Sequence, residues 1–216
     1  MFKNNREMVE YLKKIGFIKD KRIEKAFLKV DRKDFIVDEF LNAAYVDEPL
    51  PIGYGQTTSQ PSIIALMVHL LDPKEGEKIL EVGTGLGYQT AILAELIGLN
   101  GKVVSIERVP ELYKEAKKRL EKYKYKNIDL ILGDGSKGYP KEAPYDGIIV
   151  SCCCPSIPIP LIQQLKVGGR IVLPVGPDIV MQRLIKIIKE KRGLKEEFIE
   201  YVSFVPLVGE YGFKSF

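Results

Sequence analysis

Gly83, Gly85 and Gly87 fall at alternate positions directly after the apolar run 78–82 (KILEV) and directly before a stretch of helical spacing. A strand that turns through glycines into a helix leaves its backbone bare, so a ligand can reach N–H groups that no side chain screens. The first turn of the helix adds unpaired N–H donors and a partial positive charge. About twenty residues on, Glu107 closes a second apolar run, where a carboxylate can accept the two hydroxyl protons of a ribose. A third run ends in Gly133-Asp134-Gly135. There the Asp134 carboxylate can accept from an adenine amino group while a backbone N–H nearby meets a ring nitrogen; the competing reading for Asp134 is an Asx turn. Three strand ends of this kind describe a nucleoside-binding crevice.

The glycine spacing narrows the choice of nucleoside. A dinucleotide site favours G-x-G-x-x-G, which brings a pyrophosphate to the helix end. Here the pattern is G-x-G-x-G with acidic Glu81 just before it. A carboxylate in that place would repel a pyrophosphate but suits the amino group of a methionine moiety, which makes a nicotinamide oxidoreductase a poor reading. Other chemistries lack their residues. The single histidine, His69, sits in the apolar stretch IIALMVHLL with no second histidine to share a metal and no evident triad partners. The three cysteines, Cys152, Cys153 and Cys154, are contiguous, a spacing that serves neither a metal nor a disulfide framework, so they read as small buried residues at a strand end.

The elements that must position these residues follow from periodicity. Runs 78–82 (KILEV), 102–106 (KVVSI), 128–132 (IDLIL), 147–151 (GIIVS) and 169–175 (GRIVLPV) read as short strands, with helices near 88–97, 110–123 and 159–164 between them. That alternation implies a parallel sheet with helices on both faces. Segments 180–189 and 198–205, separated by KEKRGLKEE, leave no room for a crossover helix and read as an antiparallel hairpin on the sheet edge. The first forty residues look helical, with Met8, Val9, Leu12 and Ile15 on one face, Gly16 as a break, and Ile23, Ala26, Phe27 and Val30 on the next. Residues 42–59 carry prolines and glycines that argue for an ordered, irregular loop, and a further helix is expected from Gln60 to Leu71 with Ser59 as its N-cap. The fold class is therefore α/β, a doubly wound, mostly parallel seven-stranded sheet with a C-terminal antiparallel hairpin and an N-terminal helical extension. One domain spanning residues 1–216 is expected.

At 45% hydrophobic and 29% charged residues, the chain can build a real core, which excludes disorder as its default. The net charge of +4 is mild, and the basic run KEAKKRLEKYKYK (114–126) has acids interspersed, as on a solvated helix face, so no nucleic-acid partner is expected. No apolar run reaches membrane-spanning length, and the opening MFKNNREMVEYLKK carries charges where a secretory signal needs an apolar stretch. A cytoplasmic protein with no membrane association, and a monomer, is the expectation.

Longer stretches carry a family resemblance. AYVDEPLPIGYGQTTSQP (44–61), LEVGTGLGYQTA (80–91), GDGSKGYPKEAPYDGIIVSCCCPSIPIPLIQQLKVGGRIVLPVG (133–176) and FVPLVGE (204–210) closely resemble the protein-L-isoaspartate O-methyltransferases, in the same order and at the same spacing. The resemblance implies S-adenosylmethionine as cofactor, no metal, and isoaspartyl-containing peptides and proteins as partners. It implies cofactor contacts at Gly83, Gly85, Glu107, Asp134 and Gly135, to which the reading of the loop adds Glu81 and Gly87. Thr57 and Thr58 would face cofactor and substrate, and Ser59 takes the active-site role. On this view residues 1–58 form a helical extension and substrate loop, and 59–216 a Rossmann-like core. The family often has a histidine shortly after the serine, where this chain has Ser62 and Ile64, and an AAAP run where Cys152–Pro155 stands. An RNA or small-molecule methyltransferase fits less well, since no NPPY-like motif follows the GIIV strand. Intact Ser59, Glu107 and Asp134 argue against a non-catalytic nucleoside-binding or regulatory module.

Overall fold

The computed structural model describes residues 2–177 and 181–214. Its main sheet is built from β3 (Lys78–Val82), β4 (Lys102–Glu107), β5 (Ile128–Leu132), β6 (Tyr145–Val150), β7 (Leu165–Val175), β8 (Gln182–Glu190) and β9 (Gly193–Val202). Across the sheet they run β5-β4-β3-β6-β7-β8-β9. The first five are parallel, and β8 and β9 pair antiparallel. The expected seven-stranded sheet with a terminal hairpin is thus present, and β9, rather than β8, forms the free edge.

Side chains alternate between two apolar layers. Ile79, Val103, Ile149 and Val172 enter one core with α3 (Pro61–Leu71) and α4 (Tyr88–Ile97), while Leu80, Val104, Ile148 and Ile171 enter the other with Leu161 of α6 (Ile159–Gln164). Both faces being covered, the parallel strands are apolar almost throughout. Leu112 and Leu120 of α5 (Pro110–Glu121) join the first layer. So do Met8, Val9 and Leu12 of α1 (Asn5–Lys14), and Ile23, Ala26 and Phe27 of α2 (Lys21–Lys29). The extension is therefore packed on the helices that flank the glycine loop. Ile15, expected on the buried face of α1, is the C-cap of that helix and 39% exposed.

Three expectations are corrected by the structure. The segment 42–59 is not wholly irregular: Leu50–Gly53 (β1) and Gln56–Thr58 (β2) form a two-residue hairpin. Its turn residues Tyr54 and Gly55 both have positive φ, as a tight hairpin turn requires. Ser59 does not cap α3; Gln60 occupies the N-cap without a side-chain bond, and Asp47 reaches across to accept the Ser62 N–H at 2.8 Å. The C-terminal hairpin is also longer than its apolar pattern, because β9 runs through charged residues 195–197 on the exposed edge, and the turn shrinks to Lys191 and Arg192. Val180, the expected start of that hairpin, lies outside the described residues. No helix among the described residues is long and apolar enough to cross a membrane.

Candidate functional site

The carboxyl ends of β3, β4 and β6 meet at the glycine loop. Gly83 donates to Ile106 O at 2.9 Å, which draws the loop over the end of β4. Gly85 N–H donates to Glu107 Oε2 at 2.9 Å, and the other oxygen, Oε1, accepts the N–H groups of Arg108 and Val109, each at 2.8 Å. Glu107 thereby organises two turns at once, and its carboxylate, with about four acceptor sites, keeps room for a further donor. Gly83 has φ +94°, and a Cβ there would lie 3.0 Å from Cys152 Sγ. Only a glycine keeps that passage open.

Two adjoining cavities follow from this layout. One, of about 520 Å³, lies between the β1–β2 hairpin and the glycine loop, with Ile52, Thr57, Thr58, Ser59, Gly85 and Ser151 among its lining. The other, of about 410 Å³, lies over the ends of β3 and β4 and is walled by Glu107, Arg108, Gly135 and residues 206–208. Gln56, Gly83 and Cys152 line both, so the two form one trough. Among the described residues no group of His, Cys, Asp or Glu is arranged to hold a metal ion.

The structure brings most of the anticipated residues to this trough and places three elsewhere. Thr57, Thr58, Ser59, Gly83, Gly85, Glu107 and Gly135 line it. Gly87 lines neither cavity; with φ +94° it starts α4 and leaves space for Leu120, whose side chain a Cβ would meet at 3.1 Å. Asp134 also lines neither. Its Oδ1 accepts from Ser136 N and Oγ, and its Oδ2 from Glu210 N at 2.8 Å. Burial works against its charged form, yet the Ser136 and Glu210 bonds outweigh it and hold the carboxyl below its usual range. The Asx turn is therefore present, and one acceptor position of the carboxylate is left.

Glu81 departs furthest from expectation. It is fully buried, and its oxygens accept from Gln89 at 2.9 Å, Thr90 at 2.5 Å and Ser105 at 2.6 Å. Ser105, its neighbour in register on β4, also bonds Thr84 of the glycine loop, and Gln89 also donates to Ser151. Glu81 thus does not point into the trough; it ties β3, β4 and α4 together beneath it, and Gln89 extends the network to Ser151 just past β6. Burial pushes its carboxyl up to about 7, against the bonds from Ser105, Thr90 and Gln89.

Gln56, Ile52, Cys152 and residues 205–208 line the trough without having been anticipated there. The C-terminal segment arrives by backbone pairing, Cys153 N–H to Val205 O and Leu207 N–H to Cys153 O, both at 2.8 Å, a link with no periodic signature. The tail beyond folds onto the Asp134 turn, where Tyr211 N–H meets Ser136 Oγ and Glu210 pairs with Lys137 at 2.5 Å. Cys153 and Cys154 are buried, as their adjacency implied. Burial, and then the nearby Glu107, push the Cys152 thiol up to about 12, so it is held as an uncharged surface between the two cavities.

Comparison with known proteins agrees with this geometry. The family model described as Protein-L-isoaspartate(D-aspartate) O-methyltransferase matches residues 3–212. An Archaeoglobus fulgidus protein named Protein-L-isoaspartate O-methyltransferase 2 is 52% identical over 90% of this chain and 89% of its own. A Pyrococcus horikoshii protein-L-isoaspartate O-methyltransferase is 46% identical over 99% of this chain and 97% of its own. A crystal structure of a Plasmodium falciparum protein assigned to this activity, in complex with S-adenosyl-L-homocysteine, superimposes with a TM-score of 0.85 at 27% identity, covering 96% of this chain and 99% of that one.

The Glu81 network yields a pH prediction. A carboxyl whose folded pKa is raised contributes stability that is complete below its unfolded value, near 4.5, and is lost as pH rises through about 7. Urea unfolding across that range should show the parent losing on the order of 3 kcal/mol relative to Glu81→Gln, the worth of that shift. Identical pH slopes for the two proteins would remove Glu81 as the titrating group.

Proposed function

The chain belongs to the protein-L-isoaspartate(D-aspartate) O-methyltransferase family, and from that premise we infer that it is a protein repair enzyme. It transfers a methyl group from S-adenosylmethionine to the free carboxyl of L-isoaspartyl residues in damaged proteins and peptides. The observation that carries this reading is the meeting of two walls: the hydroxyl-bearing Thr57–Ser59 segment and the glycine loop line one cavity.

The trough fits the cofactor. A bare passage at Gly83, a free acceptor position on Glu107 and the Gly135 backbone lie where a nucleoside with a charged tail needs them. Glu107 holds the ribose hydroxyls, Gly135 and the remaining position on Asp134 serve the adenine edge, and Gly83 and Gly85 pass the methionine portion beneath the hairpin. Glu81 acts through Gln89, Thr84 and Ser151, keeping the floor rigid. S-adenosylmethionine, when bound, supplies an electrophilic methyl group on a sulfonium.

What remains for the protein is alignment. A side-chain carboxyl has a reference pKa of about 3.9, so the accepting oxygen is anionic at neutral pH and needs no general base. Ser59 donates a hydrogen bond to that carboxylate or to the backbone beside it, and Thr57 and Thr58 hold the peptide against the hairpin. Ile52 and Leu86, both nearly fully buried, keep water from the carboxylate. Holding the reacting groups in line can lower a barrier by up to roughly 7–11 kcal/mol.

Two measurements test this reading. With radiolabelled S-adenosylmethionine, an isoaspartyl peptide should be methylated and its matched aspartyl peptide should not; equal labelling, or labelling of RNA in preference to both, would contradict the assignment. Ser59→Ala should lower kcat by roughly 10- to 100-fold, the worth of a hydrogen bond to a charged group. Because Ser59 does not cap α3, its melting temperature should hardly move. Lost stability with intact turnover would deny Ser59 its role.

A further inference from the structure

Arg32 is completely buried, the largest side chain in the described structure to be so. It opens a 3-10 turn, Arg32–Phe35, at the end of the N-terminal extension, and all its hydrogen bonds go to backbone carbonyls. Nη1 donates to Ala44 O at 2.8 Å and Val46 O at 3.0 Å; Nη2 donates to Glu48 O at 3.0 Å and Ser59 O at 3.2 Å. These four carbonyls bracket the β1–β2 hairpin, and the last belongs to the residue assigned above to the substrate carboxylate. A buried guanidinium is costly unless its donors are satisfied; here the four Nη hydrogens each find a carbonyl while Nε–H finds no partner, and the planar fork still reaches four acceptors that a lysine ammonium, with three donors, cannot match.

The neighbours of Arg32 fasten the same segment. Tyr45 OH donates to Asp31 at 2.9 Å, and Asp47 caps α3 through Ser62. Asp47 and the Tyr88 hydroxyl lie close enough to Arg32 to act on its charge, and Tyr88 lines the cavity under the hairpin. By contrast, Glu107, the glycine loop and the Glu81 network make no bond to Arg32.

We propose that Arg32 is a positioning residue for the isoaspartyl substrate: its four carbonyl bonds hold the hairpin and Ser59 over the glycine loop. The proposal rests on the methyl-transfer reading above and concerns the hairpin wall of the trough, not the Glu107 and Gly135 end that holds the nucleoside in that reading. Loss of the fork leaves the cofactor floor intact and loosens the wall that receives the peptide.

The experiment compares the full-length parent with Arg32→Lys and with Arg32→Gln, which avoids burying an unpaired ammonium, at a temperature where circular dichroism shows each folded. In the variants kcat/KM for an isoaspartyl peptide should fall by about 10- to 100-fold, the scale of a misplaced reacting group, through kcat as well as KM. The calorimetric affinity for S-adenosylhomocysteine should stay within about threefold. Amide hydrogen exchange should speed up across residues 44–59 and stay unchanged in β3 and β4. Unchanged peptide kinetics in a folded variant would overturn the proposal, leaving Arg32 a purely structural residue. A loss of cofactor affinity equal to the loss for peptide would overturn it as well. In the parent, amides of the segment 44–59 should be as protected as those of α3, and rapid exchange there would refute the clamp even if neither variant folds. A parent that methylates no isoaspartyl peptide would instead fail the underlying reading, while the exchange measurements still judge the clamp.

Discussion

The Glu107 carboxylate sits where three chain directions must be reconciled: the end of β4, the turn that follows it and the glycine loop after β3. By accepting the N–H groups of Gly85, Arg108 and Val109 it fixes all three with one side chain. Charge-assisted bonds of this kind are about twice as strong as neutral ones, and Glu107 is only 7% exposed, so water competes little. The glycine loop and the turn after β4, which both line the trough, are thereby fixed to that carboxylate.

Around this point the site is assembled from parts distant in sequence. The floor is the sheet, stiffened by Glu81 and its partners on β4 and α4. One wall is the β1–β2 hairpin, held from the N-terminal extension by Arg32 through the carbonyls on either side of it. The far wall is the C-terminal segment, zipped to Cys153 and folded back on the Asp134 turn. Methyl transfer to an anionic oxygen asks for little acid–base chemistry, and the trough accordingly has hydroxyls, backbone donors and an uncharged thiol rather than a histidine or a reactive cysteine.

Features governed by local period or local turn chemistry were legible in the chain. The five parallel strands, α4 and the glycine turn each follow from apolar runs and glycines within a few residues, and Glu107 could be read because it ends such a run. What escaped depends on partners far along the chain. Asp47 takes the capping role that proximity gave to Ser59. The hairpin at residues 50–58 was hidden by Pro51 and two glycines, which resemble a loop until Ile52 and Leu50 find buried partners. Glu81 reads as a ligand contact because its type suits one; that it points inward depends on Ser105, Thr90 and Gln89 converging on it. Periodicity alone shortens β9, because an edge strand tolerates charges that the pattern takes for a turn.

Titration calorimetry of the folded chain with S-adenosylhomocysteine puts the role of Glu107 at risk. Saturable binding at one site is expected, weakened by about 10- to 100-fold in Glu107→Ala, the worth of hydrogen bonds to a charged group. No heat from the folded parent, or equal affinity in the two proteins, would contradict a nucleoside seated on the Glu107 carboxylate.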